Sequence, residues 1–312
     1  MDISIQDLSV SYPSNRGLVR VLRHANLYLP SGKITALVGE SGSGKSILGA
    51  AVMGLLEKDA IVSGHICYGR KSLLAQSEEA WQQIRGTHIG WIAQDPIAAM
   101  DPMQVVGKQV TEGICFRNHH SAWKEKVQAL RQMARFGLPN PEEVYEKYPC
   151  ELSGGMAQRV LSAMVDMPHP EWMVADEPTK GLDAFVRREL CQLFRMLRKK
   201  GTGFLFITHD IRLAEKLSDY IGIIYAGEIL EYGKTEEVFS HPFHPYTKSF
   251  LEAQPRNLMK PIPGLPPNLS NLPDGCIFKN RCSRYDKGDC ERDMSMRQVS
   301  SCHQVRCWRE DT

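Results

Sequence analysis

Residues Gly39, Glu40, Ser41, Gly42, Ser43, Gly44, Lys45 and Ser46 satisfy the spacing G-x-x-x-x-G-K-[ST] in full. Glycines there let several backbone N–H groups converge on one point, and the dipole of a following helix adds positive potential, so the loop suits a polyphosphate. Lys45 would reach the β- and γ-phosphates, and the Ser46 hydroxyl would hold Mg²⁺. Farther along, Asp176 and Glu177 close the apolar run Trp172-Met173-Val174-Ala175. Beside a phosphate loop, the first acid completes the Mg²⁺ shell and the second polarises or deprotonates a water for in-line attack on the γ-phosphate. Without such a loop, two acids at a strand end are ordinary solvated surface.

A second anion-binding end is written into Leu152-Ser153-Gly154-Gly155-Met156-Ala157-Gln158-Arg159, where a Ser and two glycines open a helix. One site has no use for two such ends around a single γ-phosphate, so a second copy of the fold is implied. Tyr12 falls at the end of the first strand, where its ring can either stack on an adenine or cover a sheet edge. Of the nine cysteines, Cys67, Cys115, Cys150 and Cys191 are scattered and read as small buried hydrophobes, whereas Cys276, Cys282, Cys290, Cys302 and Cys307 crowd the C-terminal stretch. A reducing compartment disfavours disulfides, which makes a metal or cluster site the question for that crowd.

The elements that must position these residues alternate. Ile3, Ile5, Leu8 and Val10, then Val19 to Leu22 with Leu27 to Leu29, predict an antiparallel layer. Ile34 to Val38 predicts a buried strand entering the phosphate loop, and Ile47 to Leu56 a helix leaving it. Strands are expected at Gly64 to Gly69, at His88 to Ala93 ending on Gln94, at Trp172 to Ala175, and at Gly203 to Ile207 ending in Thr208-His209-Asp210. From Gln104 to about Tyr148 the pattern is helical, with Val127, Leu130, Met133 and Ala134 spaced for one apolar face, and Val186, Leu190, Leu193 and Leu197 mark another helix. Strands alternating with helices predict a mostly parallel sheet covered on both faces, interrupted by an all-helical insertion. Prolines at 255, 261, 263, 266, 267 and 273 predict a loop-dominated tail.

Composition narrows the class. A chain of 312 residues, 42% hydrophobic and 24% charged, is an ordinary globular protein of one large domain or two. Net charge of +2 gives no electrostatic argument for nucleic acid, and none is expected as a partner. The start lacks a secretory signal and no run reaches about 18 apolar residues, so a cytosolic chain touching a membrane through a partner is expected.

Taken together and in order, Tyr12, the loop from Gly39 to Ser46, Gln94, Leu152 to Gln158, Asp176 with Glu177, Leu182 with Asp183, and His209 resemble the nucleotide-binding subunit of ATP-binding cassette (ABC) transporters over about residues 2 to 255. The resemblance implies an α/β P-loop nucleotide-binding domain with a mostly parallel sheet core, an antiparallel β subdomain and a helical subdomain. It places the ATPase domain at 1–240, the helical subdomain at about 104–165, and a loop-rich, cysteine-containing extension at 241–312. It also implies ATP and Mg²⁺ as ligands and Glu177 as catalytic base. Gln94 would touch Mg²⁺ and the attacking water, Asp183 would belong to a dimer-interface loop, and His209 would contact the γ-phosphate. Ser153, Gly154 and Gly155 would act on the nucleotide held by the opposite cassette.

Gln94-Asp95-Pro96 through Met100-Asp101-Pro102, Met156, and His244-Pro245-Tyr246-Thr247-Lys248 are similar to the oligopeptide, dipeptide and nickel uptake subfamily. That likeness implies a two-subunit membrane permease, a second cassette of the same or a related chain, and, indirectly, an extracytoplasmic binding protein, with this chain on the cytoplasmic face of the membrane. In the same subfamily four C-terminal cysteines can hold an iron-sulfur cluster. Cys276, Cys282, Cys290 and Cys307 match that pattern and Cys302 is extra, with a [4Fe-4S] cluster, Zn²⁺ or no metal all open. Lys180-Gly181 departs from the subfamily's usual residues before Leu182-Asp183. The rivals are a soluble cassette ATPase acting on ribosomes or DNA, and a regulatory ATP-binding module without turnover. The first is disfavoured by a single cassette with little net charge, the second by Glu177 and His209.

Overall fold

The computed structural model describes residues 1–15, 17–115, 122–254 and 260–309. Pro255 and the Cys115 side chain lie outside the described residues. The chain forms two compact units, Met1–Gln76 together with Phe206–Thr312, and Ser77–Leu205.

The first unit opens with β1 (Ile3–Ser14) and β2 (Gly17–Leu29), antiparallel to one another. Alternation in β1 changes phase between Ile5 and Leu8, because the ladder is irregular there and Asp7 adopts φ 52°. That irregularity keeps Ile3, Ile5, Leu8 and Val10 all on the buried face. Next come β3 (Ile34–Val38), α1 (Lys45–Val52), β4 (Ile61–Tyr68) and β5 (Lys71–Ser72). Strands β2, β1, β4 and β5 make the expected antiparallel sheet. Helix α1 stops at Val52, earlier than the apolar run to Leu56, because Gly54 turns the chain at φ 61°.

The second unit holds α2 (Glu78–Ile84), β6 (Ile89–Ile92), α3 (Val106–Cys115), α4 (Ala122–Arg135), α5 (Pro141–Tyr145), α6 (Gly154–Asp166), β7 (Trp172–Asp176) and α7 (Ala184–Lys199). Strands β6 and β7 are parallel, from Ile89 opposite Trp172 to Ile92 opposite Ala175. Helices α3 to α6 enclose a core containing Val106, Val110, Ala129, Met133, Val144 and Val160. Ala134, expected on the apolar face of α4, is exposed; Ala129 and Gln132 take the inward positions, and Gln132 Nε2 donates to Asp166 at 2.8 Å. The strand β8 (Gly203–Thr208) is buried throughout and is divided between the units at Leu205 and Phe206.

The first unit resumes with α8 (Ile211–Leu217), β9 (Tyr220–Tyr225), β10 (Glu228–Lys234), α9 (Thr235–Ser240) and α10 (Pro245–Glu252). The tail is mostly loop, as the prolines predict, but ends in a hairpin of β11 (Arg297–Ser300) and β12 (His303–Val305). Strand β3 is parallel to β9, while β10, β12 and β11 continue antiparallel from it. Val38, Tyr225, Tyr246, Phe250, Ile277 and Phe278 share one buried cluster, so the tail packs on the nucleotide strands themselves. Among the described residues no helix is long and apolar enough to cross a membrane.

Candidate functional site

In the first unit, β3 is buried along its whole length and delivers Gly39 beside β9. A Cβ on Gly39 would lie 2.1 Å from the Ile224 carbonyl oxygen, so the loop leaves the sheet where only glycine fits. Gly44 begins α1 at φ 99°, and a Cβ there would stand 2.7 Å from the Val21 carbonyl oxygen. Gly42 turns at φ 76°. Lys45 is buried, and its Nζ donates to the carbonyls of Gly39 at 3.0 Å and Glu40 at 2.9 Å, folding the loop around its own cation. Ser43 is buried, whereas Ser41, Gly42 and Ser46 are exposed.

Tyr12 is half-buried on β1 opposite Val19. Burial, then the charges of Glu57 and Asp59, push its hydroxyl above the ordinary tyrosine range. His209 is exposed directly after β8, and the next residue, Asp210, caps α8 by accepting from Arg212 and Leu213 N–H at 3.1 and 3.0 Å.

In the second unit, β7 carries Asp176 to its buried end, and Glu177 follows at φ 47°, a left-handed conformation rare for a residue with a side chain. A turn with Lys180 N–H donating to the Glu177 carbonyl at 3.0 Å leads to Gly181 at φ 72°. The departure Lys180-Gly181 thus puts a glycine where the backbone is left-handed. Asp183 caps α7, its Oδ1 accepting from Phe185 and Val186 N–H at 2.9 and 3.0 Å, which gives it a structural duty beside any at an interface. Ser153 caps α6 in the same way, accepting from Met156 N–H at 3.3 Å, and both Ser153 and Gly154 are exposed. Gln94, just past β6, is exposed, and Ile97 and the 85% exposed Met103 follow it.

Four cysteines, Cys276, Cys282, Cys290 and Cys307, line one small cavity in the tail, the same four that the subfamily resemblance implies; Cys302 is not among its lining residues. Cys290 Sγ accepts from Asp286 N–H and from Trp308 Nε1, each at 3.4 Å. Burial pushes the Cys276 thiol up to about 12, and burial likewise raises Cys282 and Cys307. Among the described residues, no group of three His, Cys, Asp or Glu stands in metal-binding geometry. Of the scattered cysteines expected to be buried, Cys191 is. Cys150 is exposed in a surface 3-10 turn, and Cys67 is half-buried because Ile66 and Tyr68 take the inward face of β4.

Residue spacing did not reveal a set of buried polar contacts centred on two acids of β10, most of which bind the tail to that strand. Glu231 accepts from Phe243 and His244 N–H and from His303 Nε2, and Glu228 pairs with Arg23 at 2.7 Å and Arg306 at 3.0 Å. Acids within an apolar strand signal buried partners, but not which ones.

An α/β cassette carrying a glycine-lined phosphate loop, paired acids after a buried strand and a capped Ser-Gly-Gly helix start defines an ATP-binding protein of the ABC class. The ABC transporter family pattern matches residues 22–180, and the pattern for the oligopeptide/dipeptide transporter C-terminal region matches residues 230–290. The chain is 37% identical to the oligopeptide transport ATP-binding protein OppD of Bacillus subtilis, covering 98% of this chain and 88% of that protein. It is 36% identical to the probable D,D-dipeptide transport ATP-binding protein DdpD of Escherichia coli, over 98% of this chain and 96% of that one. Among solved structures, cbiO1 of Clostridium perfringens superposes with a TM-score of 0.64 at 26% identity, covering 77% of this chain and 90% of that one. The dimeric cassette MJ0796 bound to ADP and Pi gives a TM-score of 0.69 at 23% identity over 75% and 98%, a likeness of fold. The chain belongs to the ABC transporter family, as one of its ATP-binding subunits with an oligopeptide/dipeptide-type C-terminal region.

Proposed function

We propose that this chain hydrolyses ATP to power import of peptides through a separate membrane permease. The observation that carries the reading is the exposed, Ser153-capped start of α6. It is an anion-binding helix end in the same chain as a complete phosphate loop, and it suits the nucleotide of a second cassette. The relatives' roles in oligopeptide and D,D-dipeptide transport favour peptide as cargo, with nickel or another metal chelate as the competing cargo.

In this reading the backbone of Gly39 to Gly44 and Lys45 bind the phosphates, and Tyr12 stacks on the adenine. Ser46, Asp176 and Gln94 would hold Mg²⁺, which when bound neutralises charge on the phosphate oxygens. Glu177 accepts a proton from water as the water oxygen attacks the γ-phosphorus; the bond to the β–γ bridging oxygen breaks and ADP leaves with those electrons. His209 hydrogen-bonds the γ-phosphate. Ser153, Gly154 and Gly155 close on the nucleotide of the opposite cassette, and Asp183 lies on the loop that crosses between cassettes. Closure reaches the permease through the segment after Gln94, where exposed Ile97 and Met103 offer apolar contact. The working boundary lies at 240/241 with the helical subdomain at about 104–165, and the chain sits at the cytoplasmic face of the membrane.

Cys276, Cys282, Cys290 and Cys307 would hold a [4Fe-4S] cluster or Zn²⁺, a donor set whose chemistry fits either. The N–H groups of Asp286 and Trp308 aimed at Cys290 suit a thiolate, and a bound cation would reverse the upward pull of burial on the thiols. Co-expression with its permease and ATPase assay in nanodiscs tests the reading. Association and stimulation by peptide-loaded binding protein are expected; absence of both, or stimulation by nickel chelate alone, overturns it.

A further inference from the structure

One buried cation joins the cysteine-bearing tail to the phosphate loop. Arg281 ends the 3-10 turn Lys279–Arg281, immediately before Cys282, and its side chain is 7% exposed. Its Nη1 donates to both carboxylate oxygens of Glu40, at 3.1 and 3.2 Å, and to the Tyr225 hydroxyl at 3.1 Å. Its Nε donates to the Pro263 carbonyl at 2.8 Å, and the guanidinium stands over the Tyr225 and Phe278 rings, 5.5 and 6.0 Å from their centres. Glu40 is the second residue of the phosphate loop, and its carbonyl accepts from Lys45 Nζ at 2.9 Å. The same loop residue is therefore held at both ends, its carbonyl by the loop lysine and its carboxylate by the tail.

An exposed pair of this kind would contribute little, but here the planar fork is already fixed by Pro263, Tyr225 and two ring faces, so little freedom is lost in holding Glu40. The phosphate-binding pattern makes no demand for an acid at this position, and an unpaired carboxylate in the loop would repel the anion the loop is built to take. Arg281 removes both difficulties by cancelling the charge and fixing the side chain. We propose that Arg281 is a positioning residue for the phosphate loop, holding and neutralising Glu40 so that the loop accepts a nucleotide triphosphate. The C-terminal region is then part of the nucleotide apparatus as well as an appendage to it. This inference rests on the reading of Gly39 to Ser46 as the nucleotide loop.

Four variants of the full chain, measured by calorimetric titration with Mg·ATP and by ATPase kinetics, test it. Arg281→Gln leaves Glu40 uncompensated and should weaken Mg·ATP binding about tenfold, raising KM with kcat nearly unchanged. Glu40→Gln added to it removes the uncompensated charge, so the double variant should recover most of the lost affinity, which a merely structural role of Arg281 would not allow. Arg281→Lys keeps the charge and should fall between Arg281→Gln and the parent, and it serves if Arg281→Gln does not fold. Lys45→Ala should abolish binding; if it binds normally, the loop reading itself fails. With that control intact, near-parental binding by both Arg281 variants, or a double variant as weak as Arg281→Gln, overturns the proposal.

Discussion

Replacing Glu231 by Gln should release the C-terminal region from the sheet. Glu231 lies on β10 with 0% exposure, and its carboxylate accepts three hydrogen bonds: Phe243 N–H at 2.8 Å, His244 N–H at 2.9 Å and His303 Nε2 at 2.7 Å. Phe243 and His244 start the segment that leads into α10, and His303 starts β12, so one side chain ties both ends of the tail. A glutamine retains one acceptor oxygen and turns an NH₂ group toward a remaining N–H donor. At about 1.5–3 kcal/mol for each hydrogen bond to a charged group, losing one and orphaning its donor costs about 3 kcal/mol. Opening of the tail would then rise roughly 150-fold. Limited thermolysin digestion at low protease tracks this open population, so cleavage after about residue 240 should accelerate by two orders of magnitude. Acceleration below about twofold would mean that the tail is held mainly by the apolar cluster around Tyr246 and Phe278 and not by Glu231.

Gly44→Ala forces a side chain into φ 99° and sets a Cβ 2.7 Å from the Val21 carbonyl oxygen, so Mg·ATP affinity should drop by about tenfold or more in a titration. Arg306→Ala leaves Glu228 buried with one cation fewer and should cost about 3 kcal/mol, read as a lower urea midpoint. Burial raises the Glu228 pKa above 4.5, the Arg306 and Arg23 charges opposing, so in the native chain it keeps its proton to higher pH than when unfolded. Its contribution to stability is therefore present below pH 4.5 and lost as pH rises through the folded value. Glu228→Gln should abolish that decline, seen as a parent-minus-variant difference in melting temperature that shrinks from pH 4.5 upward.

The local features were legible because neighbours in sequence carry them. The phosphate loop needs only a buried strand, glycines at turning points and a helix, all within Ile34 to Val52. Ser153 announces a helix start by residue type and caps as expected, whereas the cap made by Asp183 emerged only from the structure. Proline content exposed the loop-rich tail, and cysteine crowding singled out five thiols, of which the four matched by the subfamily resemblance share a cavity. Contacts between distant segments were hidden. Glu40 and Arg281 lie 241 positions apart, and Glu231 meets His303 across 72. The hairpin of β11 and β12 escaped because Arg-Gln-Val-Ser and His-Gln-Val have no strong period and become strands by pairing with β10. Helical spacing puts Ala134 inside and apolar character puts Cys150 inside, yet both are exposed, because small side chains at a surface obey neither signal.

ATP hydrolysis by this chain is expected to drive peptide uptake. The direct measurement is accumulation of labelled oligopeptide in proteoliposomes containing the chain, its partner cassette and its permease, with binding protein outside and Mg·ATP sealed inside. Uptake should require ATP and collapse when Glu177→Gln replaces the parent chain. Uptake that proceeds without ATP, or at an undiminished rate with Glu177→Gln, would mean that hydrolysis at this chain does not drive transport.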